Sequence, residues 1–243
     1  MGMALFSKNK NKNDSASTMQ KLKERAEYPS GPIARRFFNG VDRAVDVQSP
    51  AIHSYVEKLK SKHSDKSLAE QQAILDKHFK NLATTSGAGT GGIAAVPGLG
   101  TMMAVAGIAG ESFVLLEACA LYALASADLH GLDISDEEHR RAIVLMAVSG
   151  ATGKELIDAL VEENAITSVK TLRGLTKMSG KDMVRINNVL GRYAFRQVRR
   201  RFGSSMFKKL LPFGVGAALG AKANRKIAGQ MVEQMHSYLK SLD

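Results

Sequence analysis

Apolar residues recur along this chain at the three-and-four spacing of helices, and no segment shows the strict alternation of a strand. In "SGPIARRFFNGVDRAVD", Pro32 stands where a helix can begin, and Ile33, Phe37, Val41 and Ala44 follow on one face. "SPAIHSYVEKLK" repeats the device: Ser49 is a cap, Pro50 is the first helical residue, and Ile52, Tyr55, Val56 and Leu59 form the inward stripe. "SLAE" at 67–70 has the spacing of a capping box and opens a helix carrying Leu68, Leu75, His78 and Leu82. Residues 101–128 read as one long helix ended by "HGLD". "SDEE" at 135–138, "TGKE" at 152–155 and "SGKD" at 179–182 read as the starts of three more. After Pro212 a last helical face runs through Ala221, Ile227 or Ala228, Met231, Met235 and Leu239. The predicted class is all-α, a multi-helix bundle with more than half the chain in helices and no persistent sheet.

Two short segments interrupt this pattern in the same way. "VPGLG" at 96–100 and "LPFGVG" at 211–216 each place an apolar residue before Pro and glycines after it, ahead of an Ala/Gly-rich helix. Pro fixes φ and has no N–H to donate, while Gly permits a sharp turn or close helix approach. The segments read as tips of Gly/Ala-rich, Pro-containing helical hairpins. From Asn81 to Gly110 there is no charged side chain, which is length enough to cross a bilayer. Its composition argues against a lone span. Pro97, Gly98 and Gly100 would break the helix near the middle, and Glu111 and Glu117 follow, where carboxylates are costly at bilayer depth. A helical body associated with a membrane surface fits better. A soluble bundle packed through Gly and Ala stays open, since small residues allow close backbones in either solvent.

Charge sharpens the first of these. The chain carries a formal net charge of +11, but residues 1–169 are close to balanced. Residues 170–209 hold 12 basic side chains against one acid, Asp182. Within "KDMVRINNVLGRYAFRQVRRRF", Lys181, Arg185, Arg192, Arg196 and Arg199 fall on one helical stripe with Asn188 filling the gap. Met183, Ile186, Leu190, Tyr193 and Ala194 mark another face. Arg200, Arg201, Lys208 and Lys209 extend the positive field to the turn that holds Leu211, Phe213 and Val215. Cations beside an apolar wedge suit an anionic phospholipid surface, where each Lys or Arg is worth about 1 kcal/mol. Nucleic acid is the alternative polyanion, but the segment has no zinc finger, RNP aromatics or helix-turn-helix arrangement.

Signals for chemistry are weak by comparison. "GAGTGG" at 87–92 matches G-x-G-x-x-G only formally, because "DKHFKNLATTS" before it is helix or loop rather than strand. "SGATGKE" lacks the first Gly and the Ser/Thr of a phosphate loop, and its T-x-x-E is better used as a cap. His130 lies near Asp133, Asp136, Glu137, Glu138 and His139, a set with metal-ligand chemistry. Three of those acids, however, sit in a first helical turn, where the dipole favours them. Glu111 and Glu117 are six residues apart and do not face each other on a helix, so they form no catalytic pair. With Asn224 they remain a candidate buried polar site for a soluble enzyme or hydrophobic-ligand binder. Neither a catalytic set, a metal site nor a cofactor is assigned. Cys119, the single cysteine, lies in "LLEACALYALA" and reads as a buried thiol. Residues 1–20 lack the apolar run of a secretory signal, and Phe6 stands where myristoylation wants Ser or Thr. They read as a disordered basic and polar tail before one helical domain over 21–243.

Taken together, "FKNLATTSGAGTGGIAAVPGLGT", "ESFVLLEACALYALASADLHGLDISDEEHRRAIVLM" and "LLPFGVGAALGAKANRKIAGQM" resemble the EcsC protein family, in its bacterial, actinobacterial-like branch. The resemblance covers roughly residues 33–240 and carries over at Pro97, Gly98, Gly100, Glu111, Glu117, Pro212, Gly216, Gly220 and Asn224. It implies a largely helical protein, membrane association and a link to transport, without a catalytic set to transfer. The expectation is a non-catalytic protein at the cytoplasmic face of the cell membrane, scaffolding or modulating an envelope or transport process. Its partners would be anionic lipid and an envelope or transporter protein. A fully soluble cytoplasmic protein is the alternative.

Overall fold

The computed structural model describes residues 29–46, 49–86, 114–166, 172–175, 177–178, 180–210 and 217–240. The side chains of 85–86, 114–117, 201–210 and 217–221, with a few others, lie outside that description. Every regular element among the described residues is an α-helix, so the all-α bundle expected from the apolar spacing is what forms.

The helices begin and end where local chemistry allows. Helix α1 (Pro32–Val45) has Pro in its first turn and buries Phe37, Val41 and Ala44, with Ile33 packed at the edge of the core. Helix α2 (Ser49–Lys62) buries Ile52, Tyr55, Val56 and Leu59, the stripe read from spacing. Helix α3 (Leu68–Ser86) opens with the expected box: the Ser67 N–H donates to Glu70 Oε2 at 2.9 Å, and the Glu70 N–H to Ser67 Oγ at 3.3 Å. Leu75 and Leu82 are buried, but Leu68 is exposed, and in that first turn Gln71 is the buried residue.

Helix α4 (Val114–Leu129) is buried on all sides from Ala118 to Ala127 and packs against α1, α2, α3 and two later helices. A helix apolar all round belongs at the centre of a bundle. Its expected upstream portion, residues 101–113, lies outside the described residues, as do both Gly/Pro turns with Pro97 and Pro212 and the tail at 1–20.

Helix α5 (Glu137–Ser149) starts one residue later than "SDEE" suggested. Asp136, not Ser135, is the cap, and its carboxylate accepts the Glu138 and His139 N–H groups, both at 3.0 Å. The Ser135 N–H is already spent on Asp133 Oδ1 at 2.8 Å, which holds Ser135 in the preceding turn. Helix α6 (Gly153–Glu162) carries the full capping box of Thr152 and Glu155. A single turn, α7 (Leu172–Leu175), precedes the long helix α8 (Gly180–Leu210), and α9 (Ala217–Lys240) closes the chain. Helix α8 lies against α5, α6 and α1, while α9 lies against α3, α4 and α5. One contiguous set of buried residues runs from Ala34 to Leu239, so all the longer helices share a core. Cys119 lies inside it, and burial pushes its thiol up to about 12.

Candidate functional site

The basic helix is anchored before it is exposed. Residues 186–191 of α8 are buried without a break, because its middle turns pass between α5 and α1. Asn187 is clamped there, its Nδ2 donating to the Glu138 carbonyl at 2.9 Å and to Glu138 Oε2 at 2.8 Å. Phe195 packs near Phe37 and Phe38 of α1, with ring centroids 5.7 and 6.0 Å apart.

That burial breaks the uniform stripe. Asn188, expected to fill a gap on the exposed cationic face, is 8% exposed and belongs to the interior. Lys181 and Arg185 are exposed at the first turns of α8, and Arg196, Arg199 and Arg200 are exposed beyond the buried stretch. Arg199 also lies over the Phe195 ring, 6.0 Å from its centroid. Arg192 is different. It is half-buried and its Nη2 meets Glu163 Oε2 at 2.5 Å, while Arg196 Nη2 lies 3.6 Å from Glu163 Oε1. One carboxylate thus spans two guanidinium groups a helical turn apart. Among the described residues of α8, Asp182 is the only acid.

The side chains of Arg201, Lys208 and Lys209, and residues Leu211, Phe213 and Val215, lie outside the described residues. So do Glu111 and the Glu117 side chain, although Glu117 is on α4. Asn224, the third member of that buried polar set, is half-buried on α9 rather than enclosed. The acids near His130 serve the fold: Asp133 and Asp136 hold backbone N–H groups, and Glu138 holds Asn187. No group of three or more metal-ligating side chains is assembled among the described residues.

One polar cluster was not anticipated. The Asp76 carboxylate, 6% exposed, is enclosed by α3, α4 and α9. It accepts the Tyr122 hydroxyl at 2.7 Å and Gln72 Nε2 at 2.8 Å on Oδ1, and His236 Nε2 lies 2.7 Å from Oδ2. Gln72 Nε2 also reaches Ser126 Oγ at 3.1 Å. The Tyr122 ring stacks on Phe79 with centroids 4.3 Å apart. Burial first, then the Asp76 charge, raises the Tyr122 phenol far above its usual range, so it stays a donor. Gln72, Tyr122 and Ser126 are sealed by the bundle, and only the His236 imidazole meets solvent. The cluster therefore ties three helices around one carboxylate and presents the His236 imidazole to solvent. A signal for it exists in the sequence: Gln72 and Asp76 interrupt the core spacing of Leu75, Phe79, Leu82 and Ala83.

In comparisons with known proteins, no family model, curated protein or solved structure matches the chain. No helix among the described residues is long and apolar enough to cross a membrane.

Proposed function

We propose that this is a non-catalytic helical protein that docks on an anionic phospholipid surface through α8, at the inner face of the cell membrane, and there scaffolds or modulates an envelope or transport process. One observation carries the reading: Lys181, Arg185, Arg196, Arg199 and Arg200 are exposed on a helix whose middle is locked into the core. Solvated charge runs on proteins are ordinarily interleaved with acids, which limits their field. Here the acids at this helix's exposed face among the described residues are Asp182 in its first turn and Glu163, which engages Arg192 and Arg196. Anchoring matters as well, because a rigid helix presents its cations without an ordering cost at each encounter. The apolar contact assigned to Leu211, Phe213 and Val215 follows directly on this helix in the chain and adds short-range insertion to long-range attraction. The EcsC-like blocks support the same membrane assignment.

The test is flotation with vesicles of phosphatidylcholine alone or mixed with phosphatidylglycerol, over a salt series. The protein is expected to float with the anionic vesicles at low salt and to lose them as salt rises, since screening at physiological ionic strength acts over about 8 Å. Replacing Arg196, Arg199 and Arg200 with Gln should remove the preference for anionic vesicles. A wild-type protein and variants that all stay at the bottom of the gradient at low salt would reject membrane docking. Retardation of DNA or RNA by the same protein would then favour the nucleic-acid reading.

A further inference from the structure

Glu163 occupies a position its own helix does not favour. It caps the C-terminal end of α6, where the helix dipole is negative and cations are the stabilising charge. The backbone fixes it there. The Glu163 N–H bonds the Ala159 carbonyl at 3.1 Å, Asn164 takes a left-handed φ of 53°, and the Ala165 N–H returns to the Leu160 carbonyl at 2.8 Å. Ala165 and Ile166 are then buried, so the turn is pinned on both sides. The side chain is aimed across to α8 and its two oxygens are divided between Arg192 and Arg196. This is the way two phosphate oxygens divide between a pair of guanidinium groups. The pair is open on one side, with the Arg196 side chain 53% exposed and Glu163 31%.

Resting on the membrane reading above, we propose that Arg192 and Arg196 form a subsite for the phosphate of a lipid headgroup, and that Glu163 is the resident carboxylate a headgroup must displace. Glu163 thereby sets the threshold for docking. Arg185 and Arg199 attract the surface at long range, and the subsite adds a defined phosphate contact once Glu163 swings away. Moving Glu163 leaves it in water rather than buried, because it is already partly exposed and its neighbour Glu162 is exposed. A cation near an anionic leaflet is worth about fivefold in partitioning, so freeing the pair strengthens docking by roughly fivefold or more.

The experiment compares partitioning onto phosphatidylcholine vesicles containing phosphatidylglycerol for wild type, Glu163→Gln, Glu162→Gln, Arg196→Gln and the Glu163→Gln/Arg196→Gln double variant. Glu162→Gln makes the same change in net charge without touching the arginine pair, so it reports the general electrostatic effect alone. Glu163→Gln is expected to bind about fivefold tighter than wild type, clearly beyond Glu162→Gln, and Arg196→Gln is expected to remove most of that gain. Equal gains for Glu163→Gln and Glu162→Gln, or a gain that survives Arg196→Gln, would overturn the subsite. Wild-type binding with no response to Glu163→Gln would overturn it while leaving membrane docking intact. Failure of every protein to bind rejects docking itself. If Glu163→Gln does not fold by circular dichroism, Glu163→Asp takes its place, since it keeps the charge at the helix end but withdraws the carboxylate by one methylene. The same tightening is expected, and its absence has the same consequence.

Discussion

Removing a single oxygen from the interior tests whether the buried carboxylate holds the bundle together. In Tyr122→Phe the ring remains and keeps its stacking on Phe79, because only the hydroxyl is lost. That hydroxyl donates to Asp76 Oδ1 at 2.7 Å and lies 3.3 Å from Gln72 Nε2, in a site where Tyr122 has no exposure. A hydrogen bond to a charged acceptor contributes about 1.5–3 kcal/mol, and Asp76 retains Gln72 and His236 after the change. The expected loss is about 2 kcal/mol. Urea denaturation followed by circular dichroism would register it as a midpoint lower by about 0.7–1 M, with the slope unchanged. The same substitution in a His236→Ala background should cost more, because Asp76 would then be left with Gln72 alone. Coupling of at least about 0.5 kcal/mol is expected between the two positions. A loss under about 0.5 kcal/mol for Tyr122→Phe, with the two substitutions strictly additive, would show that the carboxylate is not organised by these donors.

Two further outcomes follow from groups elsewhere in the bundle. Burial first, then His63, Lys62 and Lys77, holds the His78 imidazole below its ordinary value, and the hydroxyl of Tyr55, whose phenol burial raises, lies 2.9 Å from its Nδ1. The folded protein therefore takes this proton less readily than the unfolded chain. The resulting stability is complete above the ordinary imidazole pKa of about 6.5 and is lost as pH falls through the lower folded value. His78→Gln should flatten the decline of the urea midpoint between about pH 7 and pH 5, and parallel profiles for the two proteins would refute this. Cys119, buried and with its thiol pushed up to about 12, should react with a disulfide reagent only in denaturant. Prompt native-state labelling would show that α4 opens or is misplaced.

The helices were legible because their signals are local. Pro32, the Ser67–Glu70 box and the Thr152–Glu155 box each act within one turn, and the apolar faces of α1 and α2 need only the 3.6-residue period. The misread points are those where a neighbour decides. Ser135 and Asp136 can both cap, and the choice fell to Asp136 because Asp133 claims the Ser135 N–H. Leu68 satisfies the spacing of an inward face, yet it is exposed, and it is Gln71 of the same turn that is buried, against the His63 and Lys66 carbonyls. Asn188 lies on the same angular stripe as Arg185 and Arg192, but α8 is enclosed at that height, while Arg185 before it and Arg196 and Arg199 after it are exposed. Periodicity gives direction around a helix axis; it carries no information on what stands along it.

The same distinction separates the Asp76 cluster from the cations of α8. Asp76 draws its donors from positions 46 and 160 residues away, so the cluster forms only once α3, α4 and α9 have packed. Its charge is then met by Gln72, Tyr122 and His236, which fits a role in holding the fold. The cations of α8 show the reverse. Their number and one-sided distribution are visible in the sequence, while the packing decides which of them face outward and which one, Arg192, is drawn against Glu163. On α8 the charge facing solvent is mostly cationic and anchored at mid-helix, with Asp182 in its first turn and Glu163 beside Arg192 and Arg196 as the acids set against it, and the proposed docking surface rests on that balance.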